Sequence, residues 1–183
     1  MTEFIKNETE KATIYLDIDG VIFPFSARGF EKIENIEDTK WVERFEFYRP
    51  SVVRRLGSLS ARIVLSSSRG ISTLINSHYR ELLEELHVVG ALSIDAFNPA
   101  DPNLKLDTII RHKHGALDAF RHKSQHTQHV GAKTIWIDDQ AGEITEEYHS
   151  STLQNASFAT IAPNKYIGLD HDHLDYIEAF IES

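Results

Sequence analysis

The 183-residue sequence has no cysteine. That excludes a disulfide framework, a thiolate nucleophile and any sulfur ligand for zinc, and it agrees with a reducing cytoplasm as the compartment. Long apolar runs are missing too. No stretch approaches the roughly 20 residues that cross a bilayer, so no membrane partner is expected. The first eleven residues, MTEFIKNETEK, are polar and acidic, and read as a loose lead-in to a strand rather than a signal peptide. Positive charge is scarce: 19 Lys and Arg stand against 28 Asp and Glu, for a net charge of −9. That balance argues against a general coat for nucleic acid. The shortage is uneven, however. From Lys105 to Lys133 six basic residues oppose two acidic ones, a local +4 that leaves −13 elsewhere, so a local anion-binding face is retained. There are no internal repeats and no low-complexity tract, and the length suits one domain, 1–183, with a sizeable core.

What is present alternates strand and helix. Thr13–Ile18 is β-branched and aromatic, as a buried parallel strand requires. Residues 20–50 form an aromatic-rich excursion without a clean period. Pro50 and Ser51 then open a helix whose Val52, Val53, Leu56 and Leu59 share one face. A second short strand, Arg62–Leu65, ends in the serines 66–68. Helical spacing returns in Leu74, Ile75, Leu82, Leu83 and Leu86, and Val88–Leu92 predicts a third strand. Another helix begins at Leu106, Ile109 and Ile110. Thr134–Ile137 and Phe158–Ala162 predict two more strands, and Leu174, Ile177, Phe180 and Ile181 an amphipathic closing helix with Asp170 as its N-cap. This order predicts an α/β fold, a mostly parallel sheet with helices on both faces. In such sheets the site forms beyond the carboxyl ends of the strands.

Three of these strands end in polar clusters: Asp17 with Asp19, Ser66 to Arg69, and Asp138 with Asp139. They are expected to converge on one edge. Carboxylates gathered there repel one another unless a cation sits among them, and Mg²⁺, which favours oxygen ligands and keeps several waters, meets that need. Gly20 permits a tight turn just after the first pair.

The ordered set "DIDGV", "IVLSSS", "LKLD" and "IWIDD", spanning residues 13 to 143, resembles the haloacid dehalogenase (HAD) superfamily. The tail "APNKYIGLDHDHLDYIEAFI" is similar to small HAD domains associated with nucleic-acid repair systems. The resemblance implies a Rossmann-like HAD fold and phosphoryl transfer through an aspartyl-phosphate. Asp17 corresponds to the nucleophile and Asp19 to the general acid and then base, its backbone carbonyl also reaching the metal. Ser67 corresponds to the hydrogen-bond donor to a phosphoryl oxygen, and Lys105 to the cation that neutralises transition-state charge. Asp138 corresponds to a metal ligand, with Asp139 or Glu143 assisting. An aspartate two residues after the nucleophile resembles the phosphatases and phosphomutases of the superfamily, and the short gaps leave no room for a large cap domain.

Some assignments have competitors. Ser66 and Ser68 compete with Ser67, Lys113 with Lys105, and Asp138 and Asp139 are interchangeable as metal ligand. Gly20, Ser68 and Arg69 are substrate-contact candidates; Arg69 reads equally as a surface arginine. His112, His114, His122, His126 and His129 read as a solvated, mildly basic face rather than a zinc site. Trp41, Phe45, Phe47 and Tyr48 are either a substrate-stacking flap or packing for the excursion. The leading expectation is a Mg²⁺-dependent phosphomonoester hydrolase acting on a phosphorylated small molecule, a nucleotide or an oligonucleotide end. The alternatives are a nucleic-acid repair component and a catalytically silent binding module of the same fold.

Overall fold

The computed structural model describes residues 11–25, 38–43, 46–92, 104, 108–109, 133–142 and 157–183. Five parallel strands form one sheet: β1 (Ala12–Leu16), β4 (Ala61–Leu65), β5 (Val88–Ala91), β6 (Thr134–Ile137) and β7 (Phe158–Ile161). Their order is β5-β4-β1-β6-β7. Every residue of β1 and of β6 is buried, which is why both read as unbroken apolar runs without alternation. The chain builds outward from β1 to β4 and β5, then crosses to β6 on the other side. That reversal beside β1 opens a crevice at the carboxyl ends, the place where such sheets bind ligands.

Four helices are described: α1 (Pro50–Ser58), α2 (Gly70–Ile75), α3 (Arg80–Leu86) and α4 (His171–Glu182). Proline opens α1, where its missing N–H costs no hydrogen bond. Val52, Val53 and Leu56 of α1 join Leu82 and Leu86 of α3, and Leu174 and Ile177 of α4, in the core. The expected cap of the last helix is there: Asp170 accepts from His173 N at 3.0 Å, and Asp170 N reaches back to the His173 ring. Arg55 of α1 ties α4 down through Asp175 and Glu178.

Two local features differ from the sequence reading. The run from Leu74 to Leu86 is not one helix but α2, a 3₁₀ turn (Ser77–Tyr79) and α3. Asn76 breaks it, because its side chain accepts from His78 N at 3.0 Å and starts a new turn. The 20–50 excursion contains an antiparallel pair, β2 (Lys40–Glu43) and β3 (Glu46–Tyr48). Trp41 packs on Phe47 with ring centroids 5.2 Å apart. Phe47 and Tyr48 are buried, so they pack the excursion onto the body, while Trp41 stays exposed. Phe45 and the histidines at 112, 114, 122, 126 and 129 lie outside the described residues. Among the described residues no large cap is inserted, and no helix is long and apolar enough to cross a membrane.

The contact between α1 and α3 leaves no room for a side chain at Gly57. A Cβ there would stand 1.9 Å from the carbonyl oxygen of Glu85, a backbone atom that cannot swing away. Alanine gains about 1 kcal/mol over glycine in a helix interior, but forcing packed elements apart costs about 1–3 kcal/mol or more. Gly57→Ala is therefore expected to lower the melting temperature by several degrees, on a scale of roughly 2–4 °C per kcal/mol. Gly57→Val should lower it further. A melting temperature unchanged or raised in Gly57→Ala would show that the helices do not meet here.

Candidate active site

The register of the sheet sets the site. Leu16 pairs with Leu65 on one side and with Ile137 on the other. One residue further along, Asp17, Ser66 and Asp138 therefore stand level at the carboxyl edge. Backbone bonds fix them there: Asp17 N donates to Ile137 O at 2.9 Å, Ser66 N to Leu16 O at 2.7 Å and Asp138 N to Ile161 O at 3.1 Å.

Carboxylate oxygens of Asp17, Asp138 and Asp139 all lie within 4.8 Å of one another. Asp138 is buried, the other two half-buried. Asp138 Oδ1 accepts from Gln140 N at 2.9 Å, an Asx turn that holds the carboxylate at the strand end. Asp17 Oδ1 accepts from Ile18 N at 2.8 Å. Three carboxylates this close raise one another's energy in a partly desolvated crevice. An all-oxygen donor set of this kind fits a hard divalent cation and suits zinc or copper poorly.

The turn after β1 is tight. The carbonyl of Ile18 accepts from Ile22 N and Phe23 N, each at 2.9 Å, and Gly20 N donates to Phe23 O at 2.8 Å. Gly20 adopts φ +75, the left-handed region open to glycine, and a Cβ on it would lie 2.9 Å from Asp139 Cγ. Any side chain at position 20 would thus push into the acidic cluster.

Asp19 does not join that cluster with its carboxylate. Its Oδ2 lies 3.4 Å from Arg69 Nε, while Arg69 Nη1 lies 2.5 Å from Glu46 Oε1 on β3. The guanidinium carbon sits 5.3 Å from the ring centre of Phe23 and 5.4 Å from that of Tyr79. Tyr79 also donates to Glu46 Oε2 at 2.6 Å. Burial pushes the Glu46 carboxyl up, but hydrogen bonds from Arg69 and Tyr79 and the arginine's charge outweigh it and hold the group below its ordinary value. For Arg69, burial works against the charge, and the Glu46 bond and the charges of Asp19 and Glu46 more than offset it. Arg69 is thus no surface arginine. It is a half-buried tie between the turn carrying Asp19 and the β2–β3 pair. Glu46 was not singled out in the sequence, since only the fold brings it across 23 positions to Arg69.

Ser66 and Ser67 are both buried, and the Ser66 hydroxyl has no hydrogen-bond partner among the described residues. Ser68 is exposed, and the Ser67 carbonyl accepts from Gly70 N at 2.8 Å to start α2. Lys105, Lys113 and Glu143 lie outside the described residues.

A five-stranded parallel sheet in this order, with acidic groups at the carboxyl ends of β1 and β6 and no large cap among the described residues, defines a HAD-superfamily domain. More narrowly, a model of the HAD domain in Swiss Army Knife RNA repair proteins matches residues 13–174, and the chain belongs to that family. No curated protein and no solved structure matches the chain.

Proposed function

We propose that the chain is a Mg²⁺-dependent phosphomonoester hydrolase that works through an aspartyl-phosphate on Asp17 and takes a phosphorylated nucleotide or RNA end as substrate. The observation that carries this reading is the meeting of Asp17, Asp138 and Asp139 within 4.8 Å at the switch point of the sheet. Asp17, Asp138 and Asp139 would hold the cation, and the Asp19 carbonyl would be available as a further ligand. A Mg²⁺ ion held there would supply charge screening between the carboxylates and an incoming phosphate, and polarisation of the phosphoryl oxygens.

The chain's own groups do the rest. An Asp17 carboxylate oxygen attacks phosphorus while Asp19 gives its proton to the leaving oxygen. Asp19 then takes a proton from water, whose oxygen attacks phosphorus as the P–O bond to Asp17 breaks, freeing inorganic phosphate and restoring the Asp17 carboxylate. The serines ending β4, Ser66 or Ser67, donate to a phosphoryl oxygen, and Lys105 neutralises charge as it develops. Gly20 and Ser68 border the phosphate. Membership in a family of RNA repair domains supports a nucleic-acid end over a small sugar phosphate.

The test is release of inorganic phosphate from an aryl phosphate and from 3′- and 5′-phosphorylated RNA oligonucleotides. Turnover is expected with Mg²⁺, to vanish in EDTA, and to return when Mg²⁺ is restored. Full activity in metal-free buffer overturns the mechanism.

A further inference from the structure

Phe25 is 57% exposed. Solitary exposed apolar side chains are ordinary on protein surfaces; the place of this one is not. Its Cε2 atom and the Cγ of Asp139 both lie within 3.0 Å of the point where a Cβ on Gly20 would stand. The edge of the ring therefore borders the acidic cluster, while most of the ring is open to solvent. Burying a phenylalanine stabilises a fold, and at this position most of that gain is forgone.

The backbone that carries the ring is also held in place. Phe25 N donates to Lys165 O at 3.0 Å, in the turn that leads to α4. The preceding Pro24 lies against Gly168, with its Cγ 3.2 Å from where a Cβ on that glycine would stand. Gly168 has φ +75, and its neighbour Leu169 donates to Val21 O at 2.8 Å. The turn at 164–169 thus anchors the backbone that leads into Phe25. An aromatic ring on an anchored backbone loses less entropy, when something stacks on it, than one on a free loop.

We propose that Phe25 is the base-stacking platform of the site, so that the substrate is a nucleoside or oligonucleotide phosphate whose base lies on Phe25 while its phosphate enters the acidic cluster. This rests on the reading of the cluster as a phosphate site, and it adds the part of the substrate the cluster cannot recognise. A sugar phosphate has no aromatic face to offer the ring. A nucleotide carries its base about one ribose away from its phosphate. Stacking of this kind tolerates any base, because every base has a π-face.

The experiment reads equilibrium binding, with turnover blocked by Asp17→Asn. In Mg²⁺, calorimetric titrations with adenosine 5′-monophosphate, adenosine 3′-monophosphate and ribose 5-phosphate are compared. At least one adenosine monophosphate is expected to bind on the order of tenfold more tightly than ribose 5-phosphate, the scale of one base stacked on one aromatic side chain. Adding Phe25→Ala should bring that ratio to within about twofold, and adding Phe25→Trp should preserve it. Circular dichroism melting accompanies each variant, so that loss of fold is not mistaken for loss of stacking. The inference is overturned if neither adenosine monophosphate is preferred, if neither binds, or if Phe25→Ala leaves the ratio unchanged in a folded chain. The two readings fail separately. A chain that prefers nucleotides through Phe25 yet hydrolyses nothing keeps this inference and loses the phosphatase, whereas a phosphatase blind to the base does the reverse.

Discussion

Asp17→Asn is expected to abolish turnover of every phosphate ester while the chain stays folded. The amide is nearly isosteric with the carboxylate, and the position is fixed by the bond from Asp17 N to Ile137 O at 2.9 Å, which the substitution leaves intact. What would be lost is the proposed oxygen nucleophile, for which an amide is no substitute. Residual rate should fall below about one per cent of the wild type, on the order expected when a covalent step loses its attacking group. The same change removes one of the three mutually repelling carboxylates. In EDTA the variant should therefore melt no lower than the wild type. Mg²⁺ at a hundred times its dissociation constant should stabilise the wild type by about 2.7 kcal/mol, some 5–10 °C at roughly 2–4 °C per kcal/mol. The variant should gain less. A rate above about one per cent, or equal Mg²⁺ stabilisation in both chains, would remove Asp17 from the role given to it.

The acidic cluster was legible because the residues that make it are local to strand ends. β1 and β6 are apolar throughout and end abruptly in aspartates, a pattern that buried parallel strands produce only where the sheet edge opens to solvent. The N-cap at Asp170 was legible for the same reason: its partner is His173, three residues on. The β2–β3 pair was not. Its strands are four and three residues long, and Glu43 lies opposite Glu46, a pairing that is unfavourable on local grounds. Glu46 is held by Arg69 and Tyr79, far away in sequence. Nothing within the excursion announces those partners. The break at Asn76 was hidden because Leu74, Ile75, Leu82, Leu83 and Leu86 satisfy a helical period whether or not the backbone is continuous. Phe25 escaped notice because composition does not distinguish an exposed ring beside the site from a buried one.

The contact of Asp19 with Arg69, rather than with the other carboxylates, gives Asp19→Asn a different signature from Asp17→Asn. If Asp19 carries the proton, its loss should slow each proton-transfer step by about 10²–10⁴-fold, but unequally across substrates. An alkyl phosphate leaves as a strongly basic alkoxide and needs the proton, so its rate should fall towards the upper end. A nitrophenyl phosphate leaves as a weakly basic phenolate, so phosphorylation of Asp17 should be nearly spared. Hydrolysis of the phosphorylated Asp17 still requires a base to activate water, and that step stays slow whatever the leaving group was. Rapid mixing with the nitrophenyl ester should then show a burst of about one phenolate per active site before slow turnover, the sign of an accumulating covalent intermediate. Asp17→Asn should give no burst at all. The half-buried Arg69 is anchored at 2.5 Å to Glu46 and keeps its place when Asp19 becomes neutral, so the change should not release the turn. A loss of equal size on alkyl and aryl esters, with no burst, would mean that position 19 only shapes the turn and that the proton comes from elsewhere.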